Sequence, residues 1–513
     1  MGSGFSEPLF QPRLPPPPLA SGLKPARRND KVHPVLKGLL LTRMHPPKNI
    51  SRRHALRDVA CGFGGLAMGA LAHQQATGAS ARIVHHPPKA KRVIFLFMAG
   101  GVSHVDSYDY KEQLFQDDGK MVRFDDARTL AKTRKIIEHR VMKPLWDFEQ
   151  YGQAGQHVSE LFPHTARHVD DLCFLKGMHT EGVAHGPSTL FLHTGSINLV
   201  RPSMGSWANY GLGTENENLP GFVSIGPAMG NGGPRNYSNA FLPAAYQGTP
   251  VGRAGIPAKE ATIRNLTGAH HDPATQRQQF NLLRQLNAEQ ANRTPEDDKL
   301  EAVISSFELA WRMQNNAPDI LDLSRESPST LEMYGIGEKH TDNFGQYCLR
   351  ARRLSEAGVR YVQVNYTDNT NNPAWDQHSN MPKHIEHARA TDKPVAGLLE
   401  DLKRRGLLED TIVWWGSEFG RTPYAQDKGT GRDHNPDGFT VWLAGGGFKP
   451  GFSYGETDSH GHHAVEAKVH MHDLHATILH QLGIDHEKLT YRYDGRDFRL
   501  TDVFGRVVTD IIS

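Results

Sequence analysis

Short runs of apolar residues recur along the chain and set its framework. KRVIFLFMAGG (residues 91–101) is rich in Val, Ile and Phe and ends in paired glycines. That is the pattern of a strand buried on both faces whose carboxyl end opens into a loop. DLCFLKGM (171–178), GFVSIG (221–226), RYVQVNY (360–366), TIVWWGS (411–417) and FTVWLAGGG (439–447) repeat it. Helical spacing falls between several of these runs. LLEDLKRRGLLEDT (398–411) carries leucines three and four apart with a glycine stop before the next run, and MHDLHATILHQLG (471–483) closes at Gly483 in the same way. Strand and helix patterns in alternation predict an α/β domain built on a doubly wound, mostly parallel sheet. Residues 273–335 are rich in Gln and Glu with leucines at helical steps, which predicts a helical insertion in that domain. No period of twenty to fifty residues is visible, so a solenoid is not expected.

The first 72 residues read differently. PRLPPPPLASG (12–22) has neither a strand nor a helix period, so residues 1–43 are expected to be a disordered or untranslated extension, with Met44 as the start. In SRRHALRDVACGFGGLAMGALAHQQ (51–75), Arg52 and Arg53 precede a mildly apolar, glycine-rich run that ends in Ala70-Leu71-Ala72, a small-residue cleavage pattern. Residues 44–72 therefore resemble a twin-arginine export signal. Residues 73–513 are then the expected mature α/β domain, placed in the periplasm or outside the cell. The other reading of this segment is a buried amphipathic helix. A membrane span is not expected, because the apolar run is shorter than the roughly 20 residues a span needs.

Composition narrows the function without naming it. A net charge of +2 over 513 residues, with the basic excess crowded into the first fifty, argues against a nucleic-acid or membrane-surface protein. Removal of the signal would take Cys61 with it. Cys173 and Cys348 remain, too few for a cysteine-rich zinc cluster, and their spacing leaves a disulfide open. The chain holds 29 histidines, which makes imidazole metal sites worth seeking.

In open α/β sheets ligands collect beyond the carboxyl ends of the strands. Polar clusters stand there. GGVSHVDSYDYK (100–111) carries His104, Asp106 and Asp109; NPAWDQHSN (372–380) carries Asp376 and His378; EFGRTP (418–423) carries Glu418 and Arg421; GRDHNPDG (431–438) carries Asp433 and His434. Carboxylates neutralise a divalent cation and neutral imidazoles suit zinc, iron or manganese, so these residues are the candidate ligands. One Asp-x-His pair alone reads equally as a loop held by its own hydrogen bonds. His104 reads either as a ligand or as a local bond in a tight loop. His179, His193 and the SHGHHAV histidines (460, 462 and 463) read as pocket or exposed loop residues.

HGPSTLFLHTG (185–195) is the remaining element. Pro187 suits the first turn of a helix and Gly195 its end, which places His185 and Gly186 at the amino terminus, where the amides and the helix dipole favour an anion. Pro187, Ser188, Leu192, Thr194 and Gly195 fall in register with CxPSRxxLxTG, the sulfatase segment whose cysteine becomes the formylglycine nucleophile. Together with GGVSHVDSYD, WDQH, SEFGRTP, GRDHNPDGFTVWLAGGG and YRYDGRDFRLTDVFG, it resembles the alkaline phosphatase superfamily. More closely, the chain resembles the DUF1501 family of exported, sulfatase-like bacterial proteins, over nearly all of residues 73–513.

That resemblance implies an alkaline phosphatase or sulfatase type of fold and two divalent ions, zinc or manganese, with calcium as an alternative. Asp106, the residue at 185 and Glu418 would surround one ion. Asp376, His378 and His434 would surround the other, with Asp433 a ligand or the acceptor that orients a histidine. Two cations about 4 Å apart would clamp the oxygens of a phosphoryl or sulfuryl transfer. The chain departs from the pattern at two positions. His185 stands where formylglycine forms, which excludes ordinary sulfatase chemistry, and Thr189 stands where sulfatases have arginine. His185 then reads as a metal ligand, as a covalent nucleophile, or as part of a silent binding site. Arg421 would meet an anionic substrate or pair with Glu418, and Ser188 would cap the helix. The expected activity is hydrolysis of a phosphate or sulfate ester, on a small molecule or glycan, by metal-activated water. The alternative is a catalytically silent, metal-stabilised protein that binds anionic glycans.

Overall fold

The first apolar run forms strand β1 (Arg92–Met98), every residue of which is buried, and its register to both neighbours is parallel. The computed structural model describes residues 83–513 apart from 126, 264–272, 294–297, 369–371 and 427–428. The expected extension (1–43) and export segment (44–72) lie outside the described residues. The other apolar runs become β2 (Leu172–His179), β3 (Phe222–Ile225), β5 (Tyr361–Tyr366), β6 (Thr411–Gly416) and β7 (Phe439–Ala444), and β4 (Thr249–Val251), β8 (Phe452–Tyr454) and β9 (Val469–His470) complete a nine-stranded sheet. Its order is β8-β2-β7-β6-β1-β5-β3-β4, with β9 following β8 along the same edge of β2. Pairing is parallel except at β7, which runs antiparallel to β6 and β2.

Because successive side chains of a strand point to opposite faces, β1 seeds two cores. Ile94, Leu96 and Met98 pack with Phe344 and Leu349 of helix α5 (Asp342–Glu356) and Leu398 and Leu402 of α6 (His384–Arg404). Val93, Phe95 and Phe97 face Phe191 of α1 (His185–Thr194), Trp207 of α2 (Met204–Leu212) and Leu474 of α7 (Met471–Gln481). Helices thus cover both faces, as a doubly wound sheet requires. Phe95 stacks on Trp414 at 3.7 Å between ring centroids, and Trp415 lies parallel to Trp442 at 5.7 Å. Burial of each such ring stabilises the fold by roughly 1.5–3 kcal/mol.

Residues after 272 form α3 (Pro273–Arg293) and α4 (Asp298–Leu321), joined by a Phe280–Trp311 stack. Met313, Ala317 and Leu321 of α4 enter the core beneath α5, so α4 shares the main hydrophobic core. Cys173 and Cys348 are free, buried thiols in the two different cores, on opposite faces of the sheet. That closes the disulfide left open by their spacing.

Candidate metal centre

Four strand ends and one short ribbon build the site. β2 leads to α1, whose first residue is His185. The loop after β5 brings Asp376 and His378, and β6 leads directly to Ser417 and Glu418. The antiparallel ribbon Gly420–Ala425 with Arg432–Asn435 sets Arg421 across from His434. α1 starts and ends as its sequence requires: Pro187 lies in the first turn, and Gly195 takes the left-handed conformation (φ 65°). The cap is not Ser188; its hydroxyl is buried away from any partner, and Ala184 holds the cap position with no side-chain bond.

The turn after β1 admits only glycine at position 100. Its φ is +118°, and a Cβ there would come within 2.7 Å of the Asp376 nitrogen. The Gly100 N–H donates to both oxygens of Glu418 at 3.0 Å, and Gly101 N–H donates to Ser417 Oγ at 2.8 Å. Glu418 in turn accepts from His185 Nδ1 at 2.6 Å. Burial pushes the Glu418 carboxyl up, but His185 and the Gly100 amide outweigh it and hold the group below the usual range.

Asp376 Oδ1 is the focus of the group. It lies 3.2 Å from His185 Nε2, 2.9 Å from His378 Nε2 and 3.4 Å from His434 Nε2. Donor atoms of these four residues all fall within 4.8 Å of one another. Each ring is tied from behind by its other nitrogen. His185 Nδ1 faces Glu418, His434 Nδ1 donates to Val183 O at 2.9 Å, and His378 Nδ1 faces Gln426 Oε1, with Asp433 Oδ1 at 3.5 Å. Oxygen acceptors behind all three rings keep the proton on Nδ1, which turns three Nε2 lone pairs toward one carboxylate. His378 Nε2 and His434 Nε2 stand 2.9 Å apart. Lone pairs that close repel unless a proton or a cation lies between them. A divalent cation satisfies all four donors at once, and three imidazoles with one carboxylate are a set that zinc or manganese accepts.

The free chain meets the same demand with protons. Burial pulls His185 down, but bonds to Asp376 and Glu418 raise it above its ordinary value. Burial lowers His434 to about 4, against the pull of Asp376. Asp376 itself would be raised by burial, yet bonds from the three histidines and the charge of Arg421 hold it far below the carboxylate range. Metal uptake would therefore displace the proton shared around His185.

The structure regroups the expected residues. His185 joins Asp376, His378 and His434 in one four-donor group, with Glu418 behind His185, instead of two separate sets. Asp106 stands apart: Arg432 Nε donates to its Oδ2 at 2.7 Å, Ser103 Oγ at 2.5 Å, and Leu145 N–H reaches Oδ1 at 3.2 Å. Both Asp106 and Arg432 are fully buried, so the carboxylate is spent on an internal ion pair. Arg421 pairs with Asp376 at 2.7 Å, not with Glu418, and donates also to the carbonyls of Gly100, Gly101 and Arg432. Fully buried and engaged on every side, it positions Asp376 and is not free to meet a substrate. Asp433 bonds the His434 N–H at 2.8 Å and approaches His378 from behind, an orienting position. Thr189 lies one turn beyond His185 on α1 and lines a small cavity with Phe97, Gln363 and Asn365, outside the four-donor group.

Of the other histidines, His104 bonds the Gly461 carbonyl at 2.7 Å, 357 positions along the chain and not within its own loop, and His193 packs edge-on against Phe97 in the core. Arg432, Gln426 and Ser417 escaped the sequence reading. Arg432 stands within GRDHNPDG, but only folding reveals its partner, 326 positions away.

Fold and donor set define an α/β protein with a histidine–carboxylate centre beyond the carboxyl ends of a mostly parallel sheet. The chain belongs to the family described as protein of unknown function (DUF1501), whose profile matches residues 90–512. No curated protein matches it. Among solved structures it is similar to the lipoteichoic acid synthase LtaP from Listeria monocytogenes, at 8% identity and a TM-score of 0.36 over 83% of this chain and 80% of that one. It is similar to the PsFucS1 sulfatase from Pseudoalteromonas sp. (10% identity, TM-score 0.32, 83% and 72%) and to an alkaline phosphatase from the Antarctic bacterium TAB5 (11% identity, TM-score 0.29, 77% and 98%).

Proposed function

We propose that this protein is an exported, metal-dependent hydrolase of phosphate or sulfate esters, acting on an anionic small molecule or glycan without formylglycine. The observation that carries the reading is the convergence of His185, His378 and His434 Nε2 on Asp376, with each ring tied outward through Nδ1. His185, Asp376, His378 and His434 would hold the ion. When bound, the ion supplies a Lewis acid that polarises the ester and lowers the pKa of water. Glu418 keeps the His185 proton on Nδ1, and Arg421 holds Asp376 in place. Phe419, fully buried and 4.4 Å from the His434 ring centroid, closes one side of the centre to water. The amino terminus of α1 offers its dipole to the anionic oxygens of the ester, and Thr189 offers a hydroxyl to the neighbouring cavity.

Export rests on the twin-arginine pattern of residues 44–72. No helix among the described residues is long and apolar enough to cross a membrane. The test is turnover: purified protein loaded with zinc or manganese, assayed on aryl phosphate, phosphodiester and sulfate esters. Hydrolysis of at least one class, lost in Asp376→Ala and His434→Ala, is the expected result. Tight metal binding with no turnover across the panel would overturn it in favour of a binding protein.

A further inference from the structure

The histidine-rich loop SHGHHAV takes no part in the centre above, yet it is built with care. Asp458 accepts from the backbone N–H of His460 (3.0 Å), His462 (2.9 Å) and His463 (2.9 Å), which winds the loop around one carboxylate. Asn435 Nδ2 donates to the carbonyls of Gly438 (2.9 Å) and His462 (2.8 Å), and the His104 ring bonds the Gly461 carbonyl. Opposite the loop, the strand Met121–Phe124 ends beside it. The Phe124 ring meets His462 edge-on at 5.1 Å and so delivers the next residue, Asp125, to the same spot. His463 Nε2 lies 2.5 Å from Asp125 Oδ1, and the His462 and His463 rings are 4.2 Å apart between centroids. One donor atom from each of Asp125, His462 and His463 lies within 4.8 Å of the other two.

From this juxtaposition we infer a second, solvent-facing cation site made by Asp125, His462 and His463, suited to a borderline divalent ion such as zinc or copper(II). Two imidazole nitrogens and one carboxylate oxygen match that class of ion, and water fills the open positions. His462 is buried and fixed by its packing, while Asp125 and His463 reach the surface, so an ion enters from solvent without opening the fold. With three protein donors and an open face, the site is weaker and exchanges faster than the buried four-donor group. It also bears on that group, because Asn435, which holds the loop through the His462 carbonyl, directly follows His434. An ion here braces the ribbon strand that carries a ligand of the first centre.

The test is zinc stoichiometry by equilibrium dialysis and elemental analysis of the metal-stripped full-length protein, with copper(II) electron paramagnetic resonance as a second readout. The comparison is between the wild type, Asp125→Asn/His463→Gln, and Asp376→Asn. The two changes in the double variant lie at the surface and leave buried His462 in place, and a melting curve checks that the variant is folded. The expected result is two classes of bound zinc in the wild type. The double variant loses only the weaker class, with its affinity reduced at least tenfold, together with the corresponding nitrogen-coordinated copper signal. Asp376→Asn loses only the tighter class. Equal binding by the double variant and the wild type overturns the site, as does a wild type with no zinc beyond what Asp376→Asn removes. Since the readout is metal content, its outcome is independent of whether any ester is hydrolysed.

Discussion

At His185 the ring is fixed from behind, because Glu418, itself held by the Gly100 amide, accepts the hydrogen bond from Nδ1–H and leaves Nε2 to face Asp376. Replacing Glu418 with Gln keeps the shape but weakens that acceptor, so zinc affinity is expected to fall about 10–100-fold in a chelator competition titration. Unchanged affinity would show that Glu418 does not orient a ligand. The Asp106–Arg432 pair makes the opposite case. Asp106→Ala leaves a buried guanidinium without its counter-charge and should destabilise the fold by about 3–5 kcal/mol in denaturant titration, with the tight metal class retained. Loss of that metal class in a variant of wild-type stability would return Asp106 to the ligand set. Asp106 was legible as a candidate metal ligand beyond the end of the first strand. Its partner was not, because nothing local distinguishes a carboxylate awaiting a metal from one awaiting an arginine 326 residues on.

Elements were read best where the signal is local. Pro187 and Gly195 bracket α1 because a missing amide hydrogen and a left-handed φ are requirements of helix ends, and they hold whatever the helix packs against. The ribbon Gly420–Ala425 with Arg432–Asn435 carries no such signal, since its register shifts between Arg421 and Ala425 and the alternation breaks there. The turn after β1 shows what a single glycine does for an element. Gly100→Ala must place a Cβ at positive φ against the Trp375–Asp376 backbone, so it should cost more than about 1 kcal/mol in stability. Because that backbone carries Asp376, the same variant is expected to bind zinc more weakly. A variant with native stability and native affinity would show that the loop moves aside freely.

Across the whole molecule, two cores on either face of one sheet made the fold class legible, because strands buried on both sides read as continuous apolar runs. The four-donor group was harder to read, since its members come from one helix start, one loop and one strand of the ribbon. What the sequence could not state was which carboxylates share an ion, and His185 moved from one expected set to the other. The buried histidines also set a pH limit on the fold. Burial lowers His193 and His475 to about 3 from the usual 6.5, so below pH 6.5 the unfolded chain takes up protons that the folded chain refuses. Stability is therefore full above pH 6.5 and is lost as the pH falls toward 3, by about 2 kcal/mol per histidine at pH 5. Denaturant unfolding at pH 7 and pH 5 checks this, and equal stability at both would contradict it. The central claim is that His185, Asp376, His378 and His434 share a cation. Elemental analysis of the protein purified without chelators tests it most directly. The expected result is tightly held zinc or manganese in the wild type that is absent from His434→Ala and Asp376→Ala. A wild type free of metal, or variants that retain as much of it, would contradict that claim.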